Sequence, residues 1–555
     1  MKQELEAGIQ AAIKALFDTD MPIQLTRPDE QFGDYATNVA LQLGTKLKQN
    51  PRELAENLAV ELRERLAESV VDVSVAGPGF LNLKLSDAAL EKAVRVEPAQ
   101  SLTGQVIVAE YSDPNPFKVL HAGHLYTSVV GDAVANLLSH AGATVHRVNF
   151  GGDVGLHVAK NMWAIVKNLG GENVEKLQDI NEDKRADWLS ERYVEGNEAY
   201  DSNEQAKTEI IELNKRIYQL HESNDHESPF ARIYWTCRTW SYDYFNAFYA
   251  RIGTTFEKYY PESETAPIGL ATVKEHVGDV YEQSQGAIIF DGEKYGLHTR
   301  VFINSLGLPT YEAKDVGLIM AKWRDYQFDR SVVITGNDIV EYMKVVLKSI
   351  EQFEPKLAQT TTHLTHGIVK LAGGEKMSSR KGNILRATEV LDVAAAASKA
   401  ATGSEDQQVT LGAVKYAFLK QRTGGDIVYD PKESVSLEGN SGPYLQYAHA
   451  RACSILRKSE QQASDVAGVF EAGERSLVRK VSEYAEVVDK AVSELMPHYI
   501  CTYLYELAQE FNRFYENNRV IGDSRESLRL GLVKVYADIL QKGLTLLGIS
   551  APEKM

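Results

Sequence analysis

The stretch from residue 105 to residue 150 limits the fold of this chain more than any other. QVIVAEY (105–111) is rich in β-branched residues and reads as a buried strand. The SDPNP after it (112–116) cannot continue a strand or a helix, because proline fixes φ and removes a donor. HAGHLYTSVVGDAVANLLSHAG (121–142) then repeats apolar residues at helical spacing and ends on a glycine. TVHRVNF (144–150) is a second strand, running into Gly151-Gly152-Asp153. Strand, turn, helix and strand make a βαβ unit, so the expected core is a doubly wound α/β sheet of the nucleotide-binding kind.

On either side the texture differs. Residues 1–98 read as a small α+β unit. A helix is expected over 53–68, with Asn50 as cap and Pro51 in the first turn, followed by strands at VDVSV (71–75) and FLNLKL (80–85). VEPAQSLTGQ (96–105) has linker composition. The α/β domain is placed at 104–404, with strands at AIIF (287–290), TRVFI (299–303) and SVVITG (331–336) and a helix near 338–352. Residues 160–265 interrupt it as a polar helical insertion, and residues 405–555 read as helices to the end. With 555 residues at roughly 100–200 per domain, several cores are affordable.

Charge and cysteine exclude some classes. The chain has 44% apolar and 25% charged residues, so it is neither disordered nor fibrous. No run of about 18 apolar residues suggests a membrane span. The N-terminal MKQELEAGIQAAIKALF resembles an amphipathic helix and not a secretory signal. Cys237, Cys453 and Cys501 are odd in number and far apart, which fits neither a disulfide framework nor zinc spacing; thiols in a reducing, cytoplasmic compartment are expected. The net charge of −17 argues at first against a nucleic-acid partner. Its distribution removes that objection. Residues 171–230 carry 16 acids against 7 cations, 361–390 carry 5 cations against 2 acids, and 435–555 are nearly neutral with 14 cations and 16 acids.

Two constellations carry chemistry. His121-Ala122-Gly123-His124 opens the helix after the first strand. Histidines three apart share a helix face, and the free N–H groups and positive dipole end of a helix start favour an anion. They suit phosphate oxygens; two ordinary helix histidines or a zinc site lacking a third ligand are the alternatives. Lys376-Met377-Ser378-Ser379-Arg380-Lys381-Gly382 packs cations beside small residues after Gly373-Gly374, which suits a polyphosphate or simply a solvated basic loop.

The pair, 255 positions apart, resembles the HIGH and KMSKS signatures of class I aminoacyl-tRNA synthetases. EYSDPNPFKVLHAGHL (110–125), YEAKDVG (311–317), SLEGNSGPYLQYAHAR (436–451), GDYATNVALQL (33–43) with GPGFLNLKL (77–85), and ELAQEFNRFYENNRV (506–520) are similar to stretches of the arginyl-tRNA synthetases. The resemblance spans the chain apart from the acidic insertion. It implies a Rossmann-type catalytic domain, a small N-terminal tRNA-contacting α+β domain and a C-terminal all-helical anticodon-binding domain. The implied substrates are ATP with Mg²⁺, L-arginine and tRNA-Arg, and the implied protein is a monomer with no membrane association and no protein ligand to the metal.

By resemblance His121, Gly123, His124, Lys376, Met377, Ser378 and Ser379 bind ATP, with His121, His124 and Lys376 catalytic. The class usually has a second lysine where Ser379 stands. Lys118, upstream of the histidines, is the expected replacement, with Arg380 and Lys381 as alternatives. Glu110, Ser112, Asn115, Tyr311 and Asp315 match the arginine pocket, Asp315 taking the guanidinium. Where the family usually places a Gln or His cluster the chain has Gly336-Asn337-Asp338-Ile339, so Asp338 is the substitute there. Phe80 and Asn82 match positions that meet the D-loop, and Tyr444 and Tyr447, with Asn512 and Tyr515, match the anticodon side. Another ATP-activating nucleotidyltransferase, an inactive tRNA-binding paralogue and a synthetase for a different amino acid are the competing readings. The near-neutral C-terminal domain would rely on stacking and local cations, giving a modest dependence on salt.

Overall fold

The computed structural model describes residues 1–372, 385–403 and 406–555. The N-terminal unit is a three-stranded antiparallel sheet in the order β1 (Tyr35–Thr37), β3 (Phe80–Leu85), β2 (Val70–Ala76). Helix Pro51–Arg65 covers it, and helix Lys2–Phe17 packs on that helix. Helix Pro51–Arg65 starts as expected: the Asn50 side chain accepts from Arg52 N at 2.9 Å and Pro51 fills the first turn.

The central sheet has five parallel strands. Val106–Glu110 (β4) lies in its middle, followed outward by Thr144–Gly151 (β5) and Lys258–Pro261 (β6) on one side. A meander, Glu282–Ser284 (β7), Ala287–Phe290 (β8) and Arg300–Ile303 (β9), leads to Arg330–Gly336 (β10) and Thr361–His366 (β11) on the other side of β4. The winding therefore reverses between β4 and β10, and a crevice opens at the carboxyl ends of these strands. β4 is buried because helix Ala122–His140 covers one face and helix Tyr311–Tyr326 contacts it as well.

Two expectations need adjusting. THGIVKLAGGEKMSSRKGN (365–383) reads in sequence as one strand, a Gly-rich turn and a basic loop, but the strand is two: β11 ends at His366, and Val369–Leu371 (β12) starts a separate parallel pair with Ile427–Tyr429 (β13). The region past 405 is therefore not wholly helical. β13 is three residues between Gly424-Gly425 and Asp430-Pro431, too short to show periodicity. The insertion forms helices Leu156–Asn168, Arg185–Ser202, Glu204–Glu222 and Pro229–Ile252 around its own core of Val158, Met162, Ile210, Ile217, Phe230 and Tyr234.

The N-terminal unit docks on the C-terminal helices through a buried carboxylate. Asp34, with no exposed surface, accepts from Leu85 N and from Arg475 Nη2, each at 2.7 Å, and lies 3.4 Å from Arg479 Nε. Arg27 pairs with Glu486 at 2.6 Å and Ser476 donates to Glu30 at 2.6 Å nearby. Removing one member of such a buried cluster strands the charges that remain. Asp34→Ala should lower the unfolding free energy by about 3–5 kcal/mol, as for a broken buried pair, read as a fall in the denaturant midpoint, and Asp34→Asn should lower it less. An unchanged midpoint for Asp34→Ala would contradict this.

Candidate functional site

The loop leaving β4 is held in an unfavourable backbone. Ser112, Asp113 and Phe117 have φ of +78°, +49° and +68°. Left-handed non-glycine residues cost on the order of 1–3 kcal/mol each unless their surroundings over-determine them. Here they do. Ser112 Oγ lies 2.8 Å from Tyr249 Oη, Asp113 Oδ1 accepts from Phe150 N at 2.8 Å, and Asn115 Oδ1 accepts from Gly152 N at 2.9 Å. Phe117 N donates to Ser241 Oγ at 2.9 Å, and its carbonyl accepts from Asn161 at 2.6 Å. Asn161, Ser241 and Tyr249 all belong to the insertion.

The loop delivers His121 to the start of helix Ala122–His140 as its N-cap. His121 Nδ1 accepts from Gly123 N and His124 Nδ1 accepts from His121 N, both at 3.1 Å, and the ring centroids are 3.8 Å apart. A nitrogen that accepts carries no proton, so each neutral ring bears its hydrogen on Nε2. Burial, with the Lys118 charge nearby, pushes His121 down to about 4 and His124 well below the ordinary histidine value. Gly123 is required here: a Cβ would lie 2.8 Å from the His121 ring. The pair therefore offers two neutral Nε2–H donors. That suits an anion; a metal bound at Nε2 would need the proton on Nδ1, where the backbone donors already sit. Lys118, half-buried, has its ammonium lowered by desolvation and placed 5.5 Å from the Tyr193 ring centroid.

The segment after the basic loop returns to the histidines. Ala122 N donates to Leu385 O at 2.8 Å and Ala387 N to Leu120 O at 2.9 Å, so Arg386 lies opposite His121. Arg386 also pairs with Asp187 of the insertion. Lys376, Met377, Ser378 and Ser379, with Arg380 and Lys381, lie outside the described residues.

Beside the histidines is an acidic pocket. Tyr311 and Asp315 sit in the first turns of helix Tyr311–Tyr326. Glu110 is buried in an ion pair with Lys322, which also reaches Ser331 at 3.1 Å, and Glu262 pairs with buried Lys314 at 2.5 Å. Among the described residues Asp113 and Asp315 have no such partner: burial and neighbouring Glu110 raise Asp113 well above the usual carboxylate range and Asp315 to about 7. Tyr342 Oη donates to Asp315. Tyr311, exposed at the rim, donates to His157 Nδ1 at 3.3 Å, while His157 Nε2–H donates to Gly152 O at 2.7 Å. Burial and Lys314 hold His157 at about 3, hence neutral.

Sequence reasoning missed Asp113, Tyr342 and His157. Asp113 stood inside the quoted motif, but its acid gave no sign of facing Asp315. Tyr342 sits one turn beyond Asp338. Asp338 itself is exposed on the short helical turn Asn337–Ile339 and acts electrostatically on His366.

The outer surfaces gather the remaining residues. Phe80 is exposed, and Asn82 lines a cleft of about 540 Å³ with Phe32, Lys84 and Arg475 between the two end domains. Tyr444, Tyr447 and Arg451 follow one another at helical spacing on helix Gly442–Lys458. Asn512 donates to Tyr444 Oη at 2.8 Å, Tyr505 lies 5.8 Å from the Tyr444 ring, and Arg451 stands 4.8 Å over Tyr515. Arg451 and Tyr505 were not anticipated.

Three family models match in succession: "Arginyl tRNA synthetase N terminal domain" over residues 3–85, "tRNA synthetases class I (R), catalytic domain" over 86–430, and "DALR anticodon binding domain" over 445–555. An arginine–tRNA ligase of Porphyromonas gingivalis is 30% identical over 602 residues, covering 100% of this chain and 99% of the relative. One of Phocaeicola vulgatus is 28% identical and covers 100% of both chains. Among solved structures, the Thermus thermophilus arginyl-tRNA synthetase superposes with a TM-score of 0.82 at 25% identity, covering 100% of both chains. With the domains in the same order and the histidine-capped helix at the switch of the sheet, the chain belongs to the arginyl-tRNA synthetases, class I ligases that use ATP.

Proposed function

We propose that the crevice between β4 and β10 activates L-arginine with ATP and that the same chain then passes arginine to the 3′ end of tRNA-Arg. The observation that carries this is that two neutral Nε2–H donors and a buried acidic pocket meet around Lys118, whose charge acts both on His121 and on His157 beside Tyr311. The arginine carboxylate attacks the α-phosphate of ATP, the bond to pyrophosphate breaks, and arginyl-adenylate forms. The attacking and leaving groups are all anionic, so the protein's work is positioning and charge stabilisation. His121 and His124 donate to phosphate oxygens; being neutral, they hold the phosphates without an ion pair that would have to be broken on release. Lys118 supplies the cation, joined by Lys376, and Gly123, Met377, Ser378 and Ser379 complete the ATP contacts.

Asp315, oriented by Tyr342, takes the guanidinium, whose planar donor fork matches a carboxylate. Tyr311 walls the pocket. Asn115 and Ser112 shape the head-group end, and Glu110, neutralised by Lys322, sits behind it. Asp338 is the remaining acid on the arginine side, standing where the family usually places a Gln or His cluster. Magnesium would enter with ATP, held by phosphate and water oxygens, and would offset phosphate charge. Among the described residues no group of three His, Cys, Asp or Glu is gathered to hold a metal.

Phe80 and Asn82 meet the tRNA at one end, and Tyr444, Tyr447, Asn512 and Tyr515 at the other. A monomer in a reducing cytoplasm is the working form; the three free thiols, two of them buried, support the compartment. Among the described residues no helix is long and apolar enough to cross a membrane.

ATP–pyrophosphate exchange should occur with arginine alone among the amino acids, and only with tRNA present; exchange with another amino acid, or none under any condition, would overturn the assignment. Lys118→Ala should slow exchange sharply, by more than ~2 kcal/mol of transition-state stabilisation, and near-wild-type exchange in that variant would remove Lys118 from the mechanism. Asp315 gives a pH signature. Its carboxyl, at about 7 and facing Glu110, Glu262, Lys322 and Tyr342, is largely protonated below neutrality. A protonated acid cannot pair a guanidinium, so KM for arginine should fall as pH rises from about 6 to 8. Asp315→Asn should raise KM roughly ten- to a hundredfold, as for a lost hydrogen bond to a charged group, and flatten that slope. A wild-type KM independent of pH would refute the assignment of Asp315.

A further inference from the structure

The acidic insertion enters the active site at two points on a single helix. On helix Arg185–Ser202, the Tyr193 ring lies under the Lys118 ammonium and Asp187 pairs with Arg386. Arg386 lies opposite His121 in the short ladder beside the histidine pair. The helix is tightly seated: a Cβ on Gly196 would fall 2.0 Å from the Lys160 carbonyl oxygen, so its backbone touches helix Leu156–Asn168 directly. Lys118 follows Phe117, whose N–H and carbonyl are bonded by Ser241 and Asn161 of the same insertion. The insertion thus fixes the Lys118 backbone and faces its charged end.

A four-carbon side chain with a bare ammonium is flexible and has to be aimed. A carboxylate beside it would neutralise it and compete with phosphate. An aromatic face attracts a cation while leaving its charge intact and its hydrogens free. Tyr193 provides that face, within the ~6 Å at which such contacts act.

We propose that Tyr193 is a positioning residue for Lys118, holding the ammonium toward the phosphates by its ring face, and that this is a function of the insertion in the activation step. The proposal rests on the reading of Lys118 given above.

The test compares ATP–pyrophosphate exchange of the full-length chain with arginine and tRNA. Tyr193→Phe keeps the ring, whereas Tyr193→Leu and Tyr193→Met keep apolar bulk without a π face. The Leu and Met variants should lose roughly three- to thirtyfold in kcat/KM for ATP. Tyr193→Phe should recover most of that loss, and KM for arginine should stay near the wild-type value throughout. In a Lys118→Ala background Tyr193→Leu should add almost nothing, because the two side chains act as one unit. The outcomes separate cleanly. No arginine-dependent exchange in the wild type removes the functional reading. A harmless Lys118→Ala removes Lys118 and this proposal with it. Equal behaviour of the Phe and Leu variants, a loss falling on KM for arginine, or a full Tyr193→Leu effect in the Lys118→Ala background overturns the positioning role alone.

Discussion

The candidate site depends on how one helix begins. Two backbone N–H groups at the start of helix Ala122–His140 would be orphaned without the imidazoles that accept from them. Each ring that satisfies the backbone is thereby fixed in one tautomer, with its remaining N–H turned outward. The capping bonds at Nδ1 thus decide which hydrogen each ring offers to a ligand at Nε2. Burial keeps both rings uncharged and so preserves the tautomer over the working pH range.

Around that start, charge is sorted by partner. Acids with a protein cation against them, Glu110 with Lys322 and Glu262 with Lys314, are neutralised and hold strands and helices together. Among the described residues Asp113 and Asp315 have no such partner, and desolvation raises their proton affinity. A cationic ligand relieves that penalty where a neutral one does not, so in the pocket proposed above discrimination for a guanidinium would follow from the pairing pattern as well as from shape. The net acidity of the chain has little to do with this; much of it lies on the outer faces of the insertion helices.

The fold was legible where periodicity was long. β4, β5, the helix between them and the pair β2–β3 lie within a residue or so of their expected positions, because alternating or helical apolar spacing over six or more residues leaves few options. β1, β6, β7 and β13 span three or four residues, too few to show a period, and only sheet pairing defines them. In the candidate site, residues inside contiguous motifs could be singled out from the sequence, as with His121, His124 and Asn115. Contacts made across the fold were not: Tyr342 on Asp315, Tyr193 under Lys118 and His157 beside Tyr311 join elements far apart in the chain. The insertion looked like solvated helix because its outward faces dominate its composition, while the few side chains that clamp the catalytic loop are ordinary Asn, Ser and Tyr.

The buried Asp34 cluster joins the N-terminal sheet to helices Ala472–Val481 and Tyr484–Glu494. Phe80 at one end and Tyr444 and Tyr447 at the other are therefore mounted on one body with a fixed span between them. With the tRNA contacts proposed above, such a body would work as a caliper: an RNA whose two contact points are wrongly spaced would not engage both, whatever bases it presents. Length and bend of the RNA would then become selected quantities, measured by a carboxylate that never touches it.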